Sequence, residues 1–347
     1  MLYYSVFLIV SALILTLSRA YGNSKSLFFV AVLIAILFSG LRFDAGNDYF
    51  TYFNMVRGYY WYDTLEPSSV LLLSIAKAYK SPMLFFLMTS AIYISCVAFF
   101  CLKRSSNPQL SFFLFLILPL SLLTSFGYVR QYVAIGLFLV ALSNFIDKKY
   151  TLFLVFTLLS FTFHSSSVIF LSIFVLYKFL SARIYSIYIY SLFMVVAFFL
   201  STVIVEYAYL AGRYQHYITG TNVIDSGKKI GVVCVLLFYY FYFSNKKIES
   251  KQNIFMFNTY YVFALMYLTL MEFGEYVARI AYYLFPMAYV LFVETLSKIK
   301  IRSQVQIILV IMFGLSMFYA TLYFASKNET RDFLTNYKVI LFEDSHR

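Results

Sequence analysis

Met83–Leu102 reads MLFFLMTSAIYISCVAFFCL, a run with no charged residue, and Lys103 and Arg104 follow it directly. A helix that crosses a bilayer needs roughly 20 consecutive apolar residues, so this stretch fits one crossing with a basic stop. The same pattern recurs in both directions. Leu2–Leu17 and Leu27–Leu41 precede it. Leu110–Leu123, Arg130–Ile146, Ile184–Val205, Ile230–Phe243, Ile254–Met271, Ile280–Leu296 and Val305–Phe324 follow. Thr151–Tyr177 reads either as one long tilted helix or as two short ones, Thr151–Phe163 and Ser165–Tyr177, turning at His164. The two-helix reading is preferred because it keeps the basic pairs Lys148/Lys149 and Lys178/Arg183 on one side. The expected fold is an all-α polytopic integral membrane protein of about twelve spans.

Composition agrees. Hydrophobic residues make up 62% of the 347-residue chain and charged residues 12%, about half the charge of an ordinary soluble domain. Residues 1–347 therefore read as a single transmembrane domain, with outer segments at 42–82 and 205–229 and an outer tail at 325–347. Leu2–Leu17 lacks the basic start and small-residue cleavage site of a secretory signal. Cys96, Cys101 and Cys234 lie within apolar runs and read as small buried hydrophobes. The net charge of +12 is scattered through short loops, which points to membrane orientation and away from nucleic acid.

Fourteen of the 27 Lys and Arg residues fall in one set of short loops, and thirteen are spread over much longer segments of the other set. By density the first set is cytoplasmic, so both termini are expected outside. Twelve of the 15 acidic residues then lie outside, as do Arg42, Arg130, Arg213 and Arg279 at or near span ends. Ionisable groups at such positions tend to be functional; the competing explanation is that each arginine is an interfacial anchor whose head snorkels to water. A guanidinium stays charged and grips phosphate oxygens with a planar fork, so four on one face suit an anionic lipid-linked substrate.

Leu41–Tyr52, LRFDAGNDYFTY, resembles the F/L-R-x-x-x-G-x-D-Y-x-x-Y signature of EpsG-type and O-antigen (Wzy) polysaccharide polymerases. Further matches follow in order: Glu66-Pro67 opening an apolar helix, Arg130-Gln131 starting a span, His164-Ser165 at a turn, and Arg279 beginning ARIAYYLFPM. The resemblance covers roughly Leu27 to Val293. It implies an inner-membrane glycosyltransferase with a GT-C-like helical fold. Such an enzyme joins undecaprenyl-pyrophosphate-linked oligosaccharide repeat units at the outer face, among membrane lipid, with flippase and chain-length regulator proteins as neighbours. On that basis Arg42, Arg130, Arg213 and Arg279 are expected to hold pyrophosphate. Gly46, Tyr49 and Gln131 join the binding set, and Asp48, Glu66 and His164 are the candidates for base or acceptor-orienting group.

An acidic residue is preferred as the base, since His164 can serve simply to cap a tight turn. Asp44 and Asp48 can alternatively form local ion pairs with Arg42 or Arg57. Glu272, Glu275 and Arg279 would share a face if helical, as a structural salt bridge. There is no Gly-rich phosphate loop, HExxH, zinc-spaced cysteine pair or D-x-D, so neither cofactor nor metal is expected. Two other readings compete: a flippase or transporter of the same glycan, and an O-antigen ligase. A transporter commonly shows internal repeats and midplane charges, neither of which is evident. A ligase differs only in its acceptor. A membrane acyltransferase built on His164 would leave the arginines without a role.

Overall fold

The computed structural model describes residues 1–210, 224–244, 250–273, 275–296, 303–327 and 333–339. The chain divides into two compact units, Met1–Ile169 with Gln304–Arg347, and Phe170–Ser303. The first unit contains α1 (Leu2–Ala20), α2 (Lys25–Gly40), the two-residue strand β1 (Arg42–Phe43), α3 (Tyr49–Arg57), α4 (Pro67–Ala78), α5 (Pro82–Arg104), α6 (Pro108–Ile117), α7 (Leu122–Ser125), α8 (Val129–Ile146) and α9 (Tyr150–Phe163). The helix Ser303–Lys327 and the strand β2 (Lys338–Val339) complete it.

Among the described residues, six helices are long and apolar enough to cross a membrane, and seven apolar helices of 10–17 residues accompany them. Helix α8 is buried over 83% of its apolar window, whereas Val305–Lys327 is buried over only 22%. The outer helix presents Ile308, Leu309 and Met312 away from the protein, each more than half exposed. In water such a face would be a liability; against acyl chains it is the expected lipid surface.

The five prolines punctuate these helices. Pro67, Pro82 and Pro108 each stand in the first turn of a helix, where a missing N–H costs nothing. Pro119 and Pro286 instead break two expected spans. Leu110–Leu123 is not one helix: α6 stops at Ile117, Leu118 is extended, and the four-residue α7 follows. The proline ring clashes with a helical residue before it. Likewise Ile280–Leu296 is split into the 3-10 turn Arg279–Leu284 and the helix Met287–Leu296. A continuous helix across Thr151–Tyr177 is absent too, since α9 ends at Phe163 and His164 is extended.

Helices α8 and α9 are antiparallel neighbours. Ser160 Oγ donates to the Ala134 carbonyl at 2.8 Å, while Phe145 meets Phe153 at the other end. Asp147 there joins Lys103 at 3.0 Å and Arg104 at 2.7 Å. Two of the basic loops therefore lie at one end of this bundle, opposite the end where Arg130 begins α8.

β1 and β2 pair antiparallel, Arg42 with Val339 and Phe43 with Lys338. Tyr337 stacks on Phe38 at 4.5 Å and donates to the Phe38 carbonyl at 2.8 Å. Tyr4 donates to the Leu334 carbonyl at 2.6 Å. The segment Phe333–Val339 is thus fastened across α1, the end of α2 and the loop that follows it.

In the second unit, Ile187–Leu210, Ile224–Ser244 and Lys251–Leu270 pack together. Asn258 donates to the Leu180 and Arg183 carbonyls at 2.7 and 2.9 Å and accepts from Tyr190. This buried amide holds the Arg183 turn near the Lys251 end of its helix.

Candidate functional site

Four elements of the first unit converge on Glu66. Pro67 biases its predecessor toward extended backbone, and Glu66 has φ −63 and ψ 147. Its carboxylate makes no capping bond to its own helix. It turns outward, Oε2 to Arg130 Nη1 and Oε1 to His164 Nδ1 at 3.1 Å. Oε1 also accepts from the Ser165 backbone N–H at 3.3 Å. Arg130 Nε donates to the Tyr52 hydroxyl at 2.8 Å.

The anchoring of each side chain is local. His164 follows the last residue of α9, and its extended backbone swings the ring out of the helix line. Ser68 Oγ donates to Thr162 Oγ1 at 2.8 Å and Ser69 Oγ to the Phe163 carbonyl at 3.3 Å, which fixes α4 against the end of α9. Arg130 is the second residue of α8, where the positive end of the helix dipole disfavours a cation. Its position is not one that helix stability selects. The three side chains are about one-fifth exposed, so the cluster is reachable from outside yet shielded.

Burial works against ionisation of Glu66. The His164 hydrogen bond, the backbone at its own position and the Arg130 charge outweigh it and hold the carboxyl at about 2. An ionised carboxylate only accepts hydrogen bonds, so His164 Nδ1 is the donor of the pair, and whenever the ring carries a single proton Nε2 is the acceptor. Burial, then the charge of Asp48, pushes the Tyr52 phenol up, so Tyr52 stays a neutral partner. Tyr52 lies within the signature stretch but was not singled out there; its spacing from Tyr49 on α3 is the signal that could have found it.

Asp48 precedes α3 without capping it and lies within electrostatic reach of both Tyr52 and Arg42. Arg42 stands elsewhere than the surface clamp expected of it. It is 2% exposed, with Nε on the Ala45 carbonyl at 3.1 Å and Nη1 on the Ser39 carbonyl. The guanidinium lies 4.6 Å from each of the Phe86 and Phe126 rings. Burial draws its pKa down to about 10, still charged at neutral pH. Arg42 also lines a small cavity with Ser39, Ser90 and Tyr132 among its neighbours. The fork that was to grip phosphate is spent on the backbone, because a charge at this depth needs partners it cannot find in water.

Gly46 has φ +97, and a β-carbon there would overlap the Phe126 carbonyl. Tyr49 is fully buried and stacks on Phe86 at 4.7 Å, and Gln131 is 3% exposed. Both belong to the interior of the unit, behind the site. Arg279 begins the 3-10 turn Arg279–Leu284 in the second unit. Glu275–Ala278 is a four-residue helix between two 3-10 segments, so the Glu272, Glu275 and Arg279 spacing does not sit on one regular helical face. Arg213 lies outside the described residues.

A model of the EpsG family matches residues 25–339. The chain belongs to the EpsG family. The match runs from the first residue of α2 to the last residue of β2, so the EpsG region includes every member of the Glu66 cluster and the C-terminal strap. No curated protein and no solved structure matches the chain. As an EpsG-family chain built of apolar helices, it is an all-α polytopic membrane protein of the polysaccharide-polymerase type.

Proposed function

We propose that this protein is a glycosyltransferase that joins lipid-pyrophosphate-linked repeat units into polysaccharide. The reaction would occur at the outer face of a bacterial inner membrane, in a helical framework of GT-C type. The observation that carries the reading is the Glu66–His164–Arg130 cluster at the end of α8 opposite the basic loops, within an EpsG-family membrane chain. An acceptor sugar hydroxyl attacks the anomeric carbon of the donor. The bond to the lipid pyrophosphate breaks, and the hydroxyl proton passes to His164 Nε2.

Glu66 in this scheme orients the ring and stabilises the imidazolium that forms, as a carboxylate does behind a catalytic histidine. A carboxyl held at about 2 is too weak a base for the task near neutral pH. The preference among the base candidates therefore moves from an acid to His164. Arg130 has five N–H donors, and the Tyr52 and Glu66 bonds use two, which leaves donors for the developing charge on the leaving group. Arg279 and Arg213 are proposed as further anion partners, Asp48 as an electrostatic support, and Arg42 as the residue that holds the signature loop.

Deletion of the gene from its native strain tests this reading. Extracted material should carry single repeat units where the parent shows a ladder of lengths. An unchanged length distribution in the deletion strain would overturn it.

A further inference from the structure

Resting on that reading, we propose that Tyr59, Tyr60 and Trp61 form a carbohydrate-stacking platform that holds an oligosaccharide beside the Glu66 cluster. The loop between α3 and α4 reads Arg57-Gly-Tyr-Tyr-Trp-Tyr-Asp-Thr64. Tyr59 is 75%, Tyr60 53% and Trp61 89% exposed. Large rings held this far into solvent are costly unless something covers them.

The loop is not a loose excursion. Gly58 ends α3 in the left-handed conformation, and the Tyr59 N–H returns to the Asn54 carbonyl at 2.9 Å. The Leu65 N–H closes a turn onto the Tyr62 carbonyl at 3.0 Å. Tyr62 and Leu65 turn inward against the core that holds Tyr49 and Tyr52. Lys77 of α4 lies 5.5 Å from the Tyr62 ring. Tyr62 is thus the pin, and the three rings before it are the outward face.

Position ties the platform to the chemistry. The loop joins the helix that carries Tyr52 to the helix that begins at Glu66. Trp61 is five residues from Glu66, a chain reach of roughly 17 Å at most, which a short oligosaccharide spans.

Sugars and membranes both take aromatic side chains, and the neighbours decide between them. Trp and Tyr also sit at membrane–water interfaces; a segment that buries further into acyl chains adds aliphatic side chains to its apolar face. Between Arg57 and Thr64 there is none; the rings from Tyr59 to Tyr62 run together and are flanked by Gly58 and by the exposed Arg57 and Asp63. Flat apolar faces beside charged hydrogen-bonding groups match a pyranose, which has apolar C–H faces and a polar hydroxyl rim.

Trp61 is the chain's only tryptophan, so its fluorescence reports this loop alone. The full-length protein in detergent would be titrated with repeat-unit oligosaccharide released from the host's own polysaccharide. The expected result is a saturable change in Trp61 emission, with apparent affinity weakened roughly three- to tenfold in Tyr59→Ala and Tyr60→Ala. No change at millimolar oligosaccharide would overturn the platform. So would strong quenching by brominated phospholipid after reconstitution, which would make Trp61 an interfacial anchor. The His164→Gln protein separates the two claims, since it should lose polymerisation and keep the oligosaccharide-dependent signal. A parent protein that polymerises but gives no signal would refute the platform alone.

Discussion

Glu66 serves two cationic or potentially cationic neighbours at once, and its two oxygens are not equivalent in consequence. Oε2 meets Arg130 and Oε1 meets His164. His164→Gln removes the proton acceptor and should lower turnover by roughly 10²–10⁴-fold with substrate binding retained. Glu66→Gln keeps a hydrogen-bonding amide and should leave more residual turnover than His164→Gln. Steady-state rates on purified lipid-linked units check the order; an inactive Glu66→Gln beside a normal His164→Gln would return the base to the acid. The same carboxyl predicts a pH window. Its value of about 2, against an ordinary 4.5, means that folding favours the ionised form. That contribution is complete above about pH 4.5 and vanishes as pH falls through about 2. The gap in thermal midpoint between the parent and Glu66→Gln should shrink as pH falls from about 4.5 towards 2. A gap that stays unchanged down to about pH 2 would mean that the Glu66 carboxylate contributes no ionisation-linked stability.

The elements owe their limits to single residues. Pro119 and Pro286 divide stretches whose hydropathy is unbroken, and hydropathy carries no information about a missing N–H. The C-terminal strap shows the reverse case, a polar-looking tail that the fold recruits. Tyr337 stacks on Phe38 and bonds its carbonyl, and β2 pairs with the signature loop at β1. Tyr337→Ala should destabilise the detergent-solubilised protein by about 3 kcal/mol, and Tyr337→Phe by about 1 kcal/mol through the lost hydrogen bond. Thermal unfolding should therefore rank parent, Tyr337→Phe and Tyr337→Ala in that order. Equal midpoints for all three would mean that the strap does not hold the loop.

For the whole molecule, the density of basic residues is the ground for the expected orientation, and the helices limit how the chain can thread. The basic loops after α5 and α8 share one end of the first unit, bound through Asp147, with Arg130 at the far end of α8. If that far end is outside, a periplasm-active reporter fused after Tyr128, Thr221 or Phe333 should be active, and one fused after Asn245 or Lys300 silent. A silent fusion at Thr221 with an active one at Asn245 would mean that the stretch around His164 crosses once and inverts every later loop. Fusions placed on both sides of each of the seven apolar helices of 10–17 residues read whether it crosses, because length alone does not decide it.

The sequence by itself determined the solvent: apolar runs with few charges leave a membrane as the only medium in which the backbone is satisfied by helices. It also marked Arg130 among the outer arginines at span ends, and the resemblance to the EpsG signature added Glu66 and His164 to the expected set. Only the tertiary structure decided which of the marked residues meet. Arg42 and Arg130 look alike in sequence, each beside an apolar run, yet one is closed between Phe86 and Phe126 and the other reaches Glu66 from a distant helix. The partners of each come from segments far apart in the chain, Phe126 for Arg42 and Glu66 for Arg130. Hydropathy and local spacing describe neighbours along the chain, and burial depends on neighbours in space.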